Sequence, residues 1–384
     1  MAVHAGEDRT KHHGAVSVPI YPASLYAFSD ADEGIAIHND EKPGYYYGRL
    51  GNPTQEALER SVAELEGGED ALAFASGMAA ISASVLTFAA QGDHIVAPES
   101  MYSTATNLFH YLSELGISTS FIDATDSQNY RSAARDNTKI FWLETPSNPL
   151  VQITDLRAVA EIARELGAAT VCDNTFATPY NQRPLEMGVD LSVHSATKYL
   201  GGHSDLTAGI IVGTKDIVDR ARHGPSKLFG GNIAPQVAWL VMRGIKTLAL
   251  RMERHNENAF AMAHMLASHP KVKAVYFPGL ESHRNYEVAK VQMSGFGGMV
   301  SMDLETAEAA KAFVNNVKLC TFATSLGGVE TIVQPAALMT HAAISAEQRA
   351  AAGISDGLIR MSIGIEYIDD LMNDIRRALD TVDA

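Results

Sequence analysis

From about residue 55 onward, amphipathic stretches with helical spacing alternate with short, largely apolar runs. The runs occupy residues 94–97, 119–122, 139–143, 170–172 and 191–193, and an amphipathic stretch at 155–166 separates the third run from the fourth. Apolar runs without polar alternation are typical of strands covered on both faces, and their alternation with helices indicates βαβ units. The pattern predicts an α/β fold built on a mostly parallel, doubly wound sheet.

The rhythm of the chain changes near residue 246. A long, polar-rich helical pattern continues from there to about residue 268, and well-spaced strands and a final helix near 367–382 follow it. The first 50 residues contain three prolines and the tyrosine run 45–47 but little periodicity, which favours an extended arm. We therefore expect an N-terminal arm over residues 1–50, a large domain over 51–246 and a smaller α+β C-terminal domain over 247–384.

One uncharged stretch, residues 71–90, is about as long as a membrane-spanning helix. It is dominated by alanine and serine and contains Ser76-Gly77, so it lacks the density of large apolar side chains that lipid contact requires. A buried strand or turn that leads into a buried helix explains the stretch better, and we expect no membrane contact. The N-terminal residues lack the apolar segment of a secretory signal.

Composition narrows the class of partner. The formal net charge of -15 argues against a broad basic surface for nucleic acid. The two cysteines, Cys172 and Cys320, form no CxxC pattern, which argues against a disulfide scaffold, a zinc ribbon or a dithiol redox site and favours a reducing cytoplasm. His194 and His203 lack a third ligand at metal spacing, so we expect no metal.

Polar side chains end two consecutive apolar runs. The run 170–172 ends in Asp173, and the run 191–193 continues into the segment His194-Ser195-Ala196-Thr197-Lys198. In open parallel sheets ligands bind beyond the carboxyl ends of the strands, so these residues are candidates for a site. Taken alone, an aspartate and a lysine in this arrangement are more simply explained as a salt bridge.

Three neighbouring features reverse that interpretation. Ser195 and Thr197 place hydroxyls beside Lys198, and the small turn Ser76-Gly77-Met78 offers backbone N–H groups to an anion. An aldehyde cofactor with a phosphate and a basic ring nitrogen needs this set of groups. Pyridoxal 5'-phosphate (PLP) is such a cofactor, because a lysine amine forms an imine with it and an acid keeps its ring nitrogen protonated. We predict these two roles for Lys198 and Asp173.

Seven motifs along the chain resemble, in order, those of the Cys/Met-metabolism family of PLP enzymes. They are Tyr47-Gly48-Arg49-Leu50-Gly51-Asn52-Pro53-Thr54, Ser76-Gly77-Met78, Glu144-Thr145-Pro146-Ser147-Asn148-Pro149, Asp173-Asn174-Thr175, Ser195-Ala196-Thr197-Lys198, Ser325-Leu326-Gly327-Gly328 and Ile359-Arg360-Met361-Ser362. The family comprises cystathionine γ-synthases, cystathionine and methionine γ-lyases and homoserine-ester sulfhydrylases. The resemblance covers almost the whole chain and implies the aspartate-aminotransferase-like fold, fold type I, with PLP as cofactor.

The resemblance also implies roles for single residues. Tyr102 would stack on the cofactor ring and assist proton transfer at the leaving group, although an ordinary half-buried tyrosine is the simpler alternative. Arg360 would bind the substrate α-carboxylate with its planar fork, assisted by Asn148 and Ser325, and a surface salt bridge is its alternative.

Tyr47 and Arg49 lie far in sequence from the other candidate residues. The resemblance implies that they reach the cofactor phosphate of a neighbouring subunit. We therefore expect an obligate homodimer, and a tetramer built as a dimer of dimers.

The substrate depends on residues around its distal end, where the sequence departs from the family patterns. Thr324 stands where cystathionine-specific members carry a glutamate, which favours a neutral thioether. Thr104 stands where well-known methionine γ-lyases have a cysteine, and Ser226-Lys227 aligns with their Lys-Asp pair. The first hypothesis is γ-elimination from L-methionine to methanethiol, ammonia and 2-oxobutyrate. Cystathionine γ-lyase or γ-synthase comes next, and O-acyl-homoserine sulfhydrylase third.

Two other classes of protein would show features that distinguish them from this family. A binding or regulatory module with this fold would lack Lys198, Asp173 or Arg360, or would carry an added DNA-binding segment. A Rossmann oxidoreductase would carry a glycine fingerprint after its first strand, and the run 295–298 matches only the start of one before a predicted strand. The chain shows neither set of features.

Overall fold

The structure, a computed structural model, describes residues 1–339, 347, 349 and 353–382 of the 384-residue chain. The strands of the larger sheet are β1 (Asp70–Phe74), β2 (His94–Pro98), β3 (Ser118–Ile122), β4 (Thr138–Glu144), β5 (Ala169–Asp173), β6 (Leu191–His194) and β7 (Gly209–Gly213). Their order is β1-β7-β6-β5-β4-β2-β3. Strands β2 to β6 pair in parallel with one another, whereas β7 runs antiparallel to β1 and β6. The predicted mostly parallel sheet is confirmed.

Helices cover both faces of this sheet. In chain order they and the later helices are α1 (Ala31–His38), α2 (Pro53–Glu66), α3 (Gly77–Phe88), α4 (Ser103–Glu114), α5 (Gln128–Ala133), α6 (Leu156–Leu166), α7 (Thr178–Asn181), α8 (Lys215–Ala221), α9 (Lys227–Phe229), α10 (Pro235–Ile245), α11 (Leu248–Ala267), α12 (Tyr286–Gln292), α13 (Ala307–Asn316) and α14 (Ile368–Asp380). Helices α2 and α10 pack on one face, where Leu58 and Val241 are buried, and α3 and α4 pack on the other, where Ile81 and Phe109 are buried. The sheet is doubly wound, as its apolar strands require.

The uncharged stretch 71–90 forms most of β1, a turn and helix α3, as predicted. Two of its hydroxyls are satisfied locally, because Ser84 donates to the carbonyl of Ala80 and Thr87 to that of Ala83. The stretch can therefore be buried without charged partners. Within the described residues, no helix has both the length and the apolar character needed to cross a membrane.

A second, smaller sheet lies in the C-terminal part of the chain. Its strands are β8 (Ala274–Tyr276), β9 (Met299–Asp303), β10 (Thr321–Phe322), β11 (Ile332–Pro335) and β12 (Leu358–Ser362), in the order β10-β11-β12-β9-β8. All its pairs are antiparallel except β10 with β11. Helices α11, α13 and α14 share one apolar core with it. Residues 340–346, 348, 350–352 and 383–384 of the predicted C-terminal domain lie outside the described residues.

Two elements differ from the sequence prediction. The N-terminal 50 residues contain helix α1, which starts where Asp30 accepts a hydrogen bond from the backbone of Glu33. None of its residues is buried, so no apolar periodicity marked it. Strand β7 was also not predicted. It is only five residues long and has glycine at both ends, and glycine in such positions is typical of loops.

Candidate active site

A cavity of about 580 Å³ opens at the carboxyl ends of β4, β5 and β6 and reaches strand β12 of the second sheet. Most of the residues predicted to form the site line it: Ser76, Gly77, Met78, Tyr102, Thr104, Asn148, Asp173, Ser195, Thr197, Lys198, Thr324, Ser325 and Arg360. The fold therefore gathers residues that are up to 284 positions apart, from Ser76 to Arg360. Tyr47, Arg49, Ser226 and Lys227 do not line it.

Lys198 lies largely buried at the centre of the cavity lining. Its Nζ atom donates to Ser325 Oγ at 2.6 Å, and its backbone N–H donates to the carbonyl of Ser195 at 3.1 Å. Burial, together with the positive charge of Arg360, lowers the pKa of Lys198 from 10.5 to about 8. A lysine in this environment is neutral far more often than a surface lysine and can act as a nucleophile or a proton acceptor.

Asp173 is the last residue of β5 and is buried beside the cavity. Its Oδ1 atom accepts from the backbone N–H of Thr175 at 3.0 Å. Burial raises the pKa of Asp173, and the hydrogen bonds from Thr175 oppose that rise. A buried carboxylate that lines the cavity fits a protonated ring nitrogen, which would supply a donor and the opposite charge.

The turn before α3 has the form of an anion cup. Ser76 caps the helix by accepting from the backbone of Ala79, so the first N–H groups of α3 stand at the cavity. A Cβ atom on Gly77 would lie 2.8 Å from Ser195 Oγ, so only glycine lets the helix approach that hydroxyl. Thr197 Oγ1 donates to the carbonyl of Ala208 at 3.2 Å and accepts from its N–H at 3.0 Å, which fixes this hydroxyl at the rim. The cup fits a phosphate.

Arg360 on β12 is buried opposite Lys198. Its Nη1 donates to Asn148 Oδ1 at 3.1 Å and its Nη2 to the carbonyl of Ser325 at 2.7 Å. With its amide oxygen turned toward the guanidinium, Gln334 accepts from Nε at 3.0 Å. Burial lowers the pKa of Arg360 to about 10, which leaves the group charged at neutral pH. Such a cation can take up a substrate carboxylate.

Ser325 has an unusual backbone conformation with φ of 78°. This left-handed region is unfavourable for residues other than glycine, and its use indicates that the surrounding contacts hold the residue in place. The Ser325 hydroxyl thereby contacts Lys198, and the Ser325 carbonyl contacts Arg360.

Among the described residues, those that line the remaining wall of the cavity are uncharged. Thr104, Asn107, Thr324 and Met339 line it, and the ionisable acids and bases among the lining residues are Glu144, Asp173, Lys198 and Arg360, besides Tyr102. Tyr102 precedes helix α4 and is 36% exposed, so its ring is accessible to a ligand in the cavity.

Tyr47 and Arg49 lie away from the cavity of their own chain. Arg49 Nη1 donates to the carbonyl of Lys227 at 2.5 Å, and its guanidinium lies 5.6 Å from the centre of the Tyr47 ring. Tyr47 is 39% exposed. Neither residue serves the cavity of its own subunit, and their predicted role toward a neighbouring subunit stays a prediction.

The structure adds two residues that the sequence interpretation did not assign. Glu144 ends β4 as Asp173 ends β5, so the same signal was present in both runs. Gln334 lies within the buried strand β11, where an isolated amide carries no sequence signal.

His194 and His203, for which the sequence indicated no metal site, contact other groups of the protein. His194 is buried against Glu66, and His203 Nδ1 contacts the carbonyl of Gly201 at 2.8 Å. No cluster of three metal-ligating side chains occurs among the described residues.

The doubly wound sheet, the second sheet and the lysine–aspartate–anion-cup arrangement define the class as PLP-dependent enzymes of fold type I. The family model described as Cys/Met metabolism PLP-dependent enzyme matches residues 1–380. The chain belongs to this family, and its cofactor is pyridoxal 5'-phosphate.

Relatives and solved structures carry several names within the family. The chain is 43% identical to L-methionine gamma-lyase of Fusobacterium nucleatum subsp. nucleatum, over 99% of this chain and 97% of the relative. It is 46% identical to cystathionine beta-lyase of Coxiella burnetii, over 98% and 96%. The structure of cystathionine gamma-lyase from Lactobacillus plantarum complexed with L-serine matches with a TM-score of 0.93 at 39% identity, over 99% of this chain and 98% of that one.

Proposed function

We propose that this chain is a carbon–sulfur lyase that releases a thiol from the γ-carbon of a sulfur amino acid, with L-methionine as its main substrate. The observation that carries the choice of methionine is the uncharged distal wall formed by Thr104, Asn107, Thr324 and Met339. A distal ammonium, as in cystathionine, would find no carboxylate partner among these four described residues, whereas a methyl thioether needs none. Relatives named methionine gamma-lyase are compatible with this choice, and relatives named cystathionine lyase are similar to the chain to the same degree.

In this proposal Arg360, held in place by Asn148 Oδ1 and the Ser325 carbonyl, binds the substrate α-carboxylate and fixes the amino acid in the cavity. Asp173 keeps the cofactor ring nitrogen protonated, and the N-terminus of α3 with Ser195 holds the phosphate. Bound PLP supplies an electron sink that acidifies the carbon next to the substrate amine.

The protons are moved by two side chains of the protein. The Lys198 amine, with its lowered pKa, takes a proton from the substrate and returns it at a neighbouring carbon. Tyr102, which lines the cavity, would stack on the cofactor ring and give a proton to the departing sulfur. Methionine and water then yield methanethiol, ammonia and 2-oxobutyrate, so atoms balance without an oxidant or reductant.

A comparative assay tests the proposal. The purified enzyme is supplied separately with L-methionine, with cystathionine, and with an acyl-homoserine plus a thiol, and methanethiol, 2-oxobutyrate and new thioether are measured. The highest kcat/KM is expected for L-methionine. A higher value for cystathionine would identify a cystathionine γ-lyase instead. Preference for the acyl-homoserine would identify a cystathionine γ-synthase if cysteine is the thiol that reacts, and a sulfhydrylase if a simpler thiol reacts.

We further propose that the enzyme works in the cytoplasm as a homotetramer, a dimer of dimers. Residues 1–50 form an arm that carries Tyr47 and Arg49 to the phosphate of the neighbouring subunit, residues 51–246 form the cofactor domain and residues 247–384 the carboxylate-binding domain. The exposed Tyr47 ring and the distance of both residues from their own cavity support this arrangement. Light scattering of the active enzyme checks it, because a fully active monomer is incompatible with a shared site.

A further inference from the structure

Glu144 is a buried acid at the site to which the proposed function gives no task. It is the last residue of β4 and pairs in register with Asp173, the last residue of β5. It is 5% exposed and lines the same cavity. A carboxyl group so close to a second one is costly to bury, and an apolar residue would fill the space at lower cost unless the oxygens are used.

Both oxygens of Glu144 are used, and each serves a different segment. Oε2 accepts from the backbone N–H of Tyr102 at 2.8 Å, where helix α4 begins. Oε1 accepts from the backbone N–H of Asn148 at 2.9 Å, in the loop after β4. The side-chain oxygen Oδ1 of Asn148 in turn accepts a hydrogen bond from Arg360 Nη1 at 3.1 Å. One carboxyl group therefore connects the residue beside the cofactor ring to the pair beside the substrate carboxylate.

No lysine or arginine of the described chain forms an ion pair with Glu144, so these two N–H groups are its direct partners. Burial raises the pKa of Glu144 well above its ordinary value, the charge of Asp173 raises it further, and the two N–H groups and Arg360 oppose the rise. Both contacts need an acceptor oxygen, so only a side chain with two acceptor oxygens can make them at the same time.

We propose that Glu144 is a positioning residue that fixes Tyr102 and Asn148 relative to one another. The cofactor ring beside Tyr102 and the substrate carboxylate beside Asn148 would then keep a constant distance and orientation. The inference rests on the proposed roles of those two residues. It assigns Glu144 no contact with the reacting atoms.

Glu144→Gln is the main test, because the amide keeps the shape of the side chain but carries one acceptor. Its NH₂ group must face one of the two backbone N–H groups, so one contact is lost. We expect the KM for L-methionine to rise about tenfold with a smaller change in kcat, because carboxylate binding is shared by ground state and transition state. The Kd of the apoenzyme for PLP, measured by absorbance titration, should rise severalfold as well. Glu144→Asp, which keeps two acceptors, should recover part of both losses.

A double-mutant cycle shows whether Glu144 acts through Asn148. In an Asn148→Ala background, Glu144→Gln should cause little further rise in KM, because the side chain that Glu144 positions is already absent. Glu59→Gln is the matched control: Glu59 is also buried, accepts from the backbone N–H of Ala73 at 3.0 Å, and lies outside the cavity. That variant should leave KM and the PLP Kd within about twofold, whatever its effect on Tm.

Two results would overturn the proposal. One is a Glu144→Gln variant whose KM and PLP Kd both stay within about twofold of the parent enzyme. The other is a double variant, Glu144→Gln with Asn148→Ala, whose KM rises by the product of the factors measured for the two single variants. If Glu144→Gln does not fold, the same cycle is run with Glu144→Asp. Failure of the proposed function is recognised separately, by an enzyme that prefers another substrate or keeps turnover without Lys198, and the measurements then use the substrate that is turned over.

Discussion

Lys198 Nζ donates a 2.6 Å hydrogen bond to Ser325 Oγ, although 127 positions separate the two residues. The contact joins the segment after β6 of the large sheet to the loop before β11 of the second sheet. The carbonyl of Ser325 also accepts from Arg360, so this one residue orients both the amine and the guanidinium. Its left-handed backbone is the conformation that allows both contacts.

Ser325→Ala separates the two functions of this residue. The variant loses the hydroxyl that holds the Lys198 amine but keeps the carbonyl that holds Arg360. We expect kcat for L-methionine to fall roughly tenfold or more while KM changes little, because the lost bond positions a proton carrier and not the carboxylate. Steady-state kinetics check this.

Ser325→Gly is the matched control for backbone strain. Glycine tolerates the left-handed conformation, so this variant should be more stable than Ser325→Ala by about 1 kcal/mol in urea unfolding. Both variants lack the hydroxyl and should show the same loss of kcat. A glycine variant with full kcat would mean that strain, and not the lost hydrogen bond, limits the alanine variant.

The pKa of Lys198 predicts how cofactor loading depends on pH. Burial disfavours the charged amine and lowers the pKa to about 8, so the reactive neutral form accumulates as pH rises through that value. The rate at which the apoenzyme takes up PLP, followed by the visible absorbance of the bound cofactor, should rise with a midpoint near pH 8 and not near the ordinary lysine value of 10.5.

Arg360→Gln tests the second cause of that shift. Removing the positive charge should raise the pKa of Lys198 and move the loading midpoint to higher pH. Circular dichroism over the same range verifies that the fold is unchanged. An identical midpoint in both proteins would show that Arg360 does not act on the amine.

The sequence was informative where a strand ends in a polar residue. Asp173 and Lys198 follow apolar runs, and the geometry of a parallel sheet requires such ends to meet at one edge. Helix α3 and the cup before it were foreseeable for the same reason, because the turn follows a strand. These features depend on local pattern and on a rule of topology.

The parts that escaped prediction depend on contacts across the two sheets. Nothing in the segment around Gln334 indicates that its amide faces Arg360, since the partner lies on another strand. The double use of the Glu144 carboxyl likewise depends on where helix α4 and the loop after β4 are placed in space. Hydrogen bonds between distant segments are set by packing, which periodicity does not encode.

Arg49 and Lys198 provide a test of the shared site, because they belong to different subunits of one site in the proposed dimer. Arg49→Ala should weaken the PLP affinity of the apoenzyme, and Lys198→Ala should abolish both the visible cofactor absorbance and turnover. Each variant alone leaves every site defective. A hybrid dimer of the two contains one site with both native residues and one site with neither.

The two variants are mixed under conditions that exchange subunits, at a PLP concentration too low to load Arg49→Ala. Activity should then be restored to roughly a quarter of the native value for random pairing, because half of the dimers are hybrids with one intact site of two. The matched control mixes Lys198→Ala with Asp173→Ala. Those two residues line the cavity of the same chain, so neither subunit of that hybrid has an intact pair and activity should stay absent. Restored activity in the control, or none in the Arg49 mixture once exchange is verified by mass spectrometry, would contradict the placement of Arg49 in the neighbouring site.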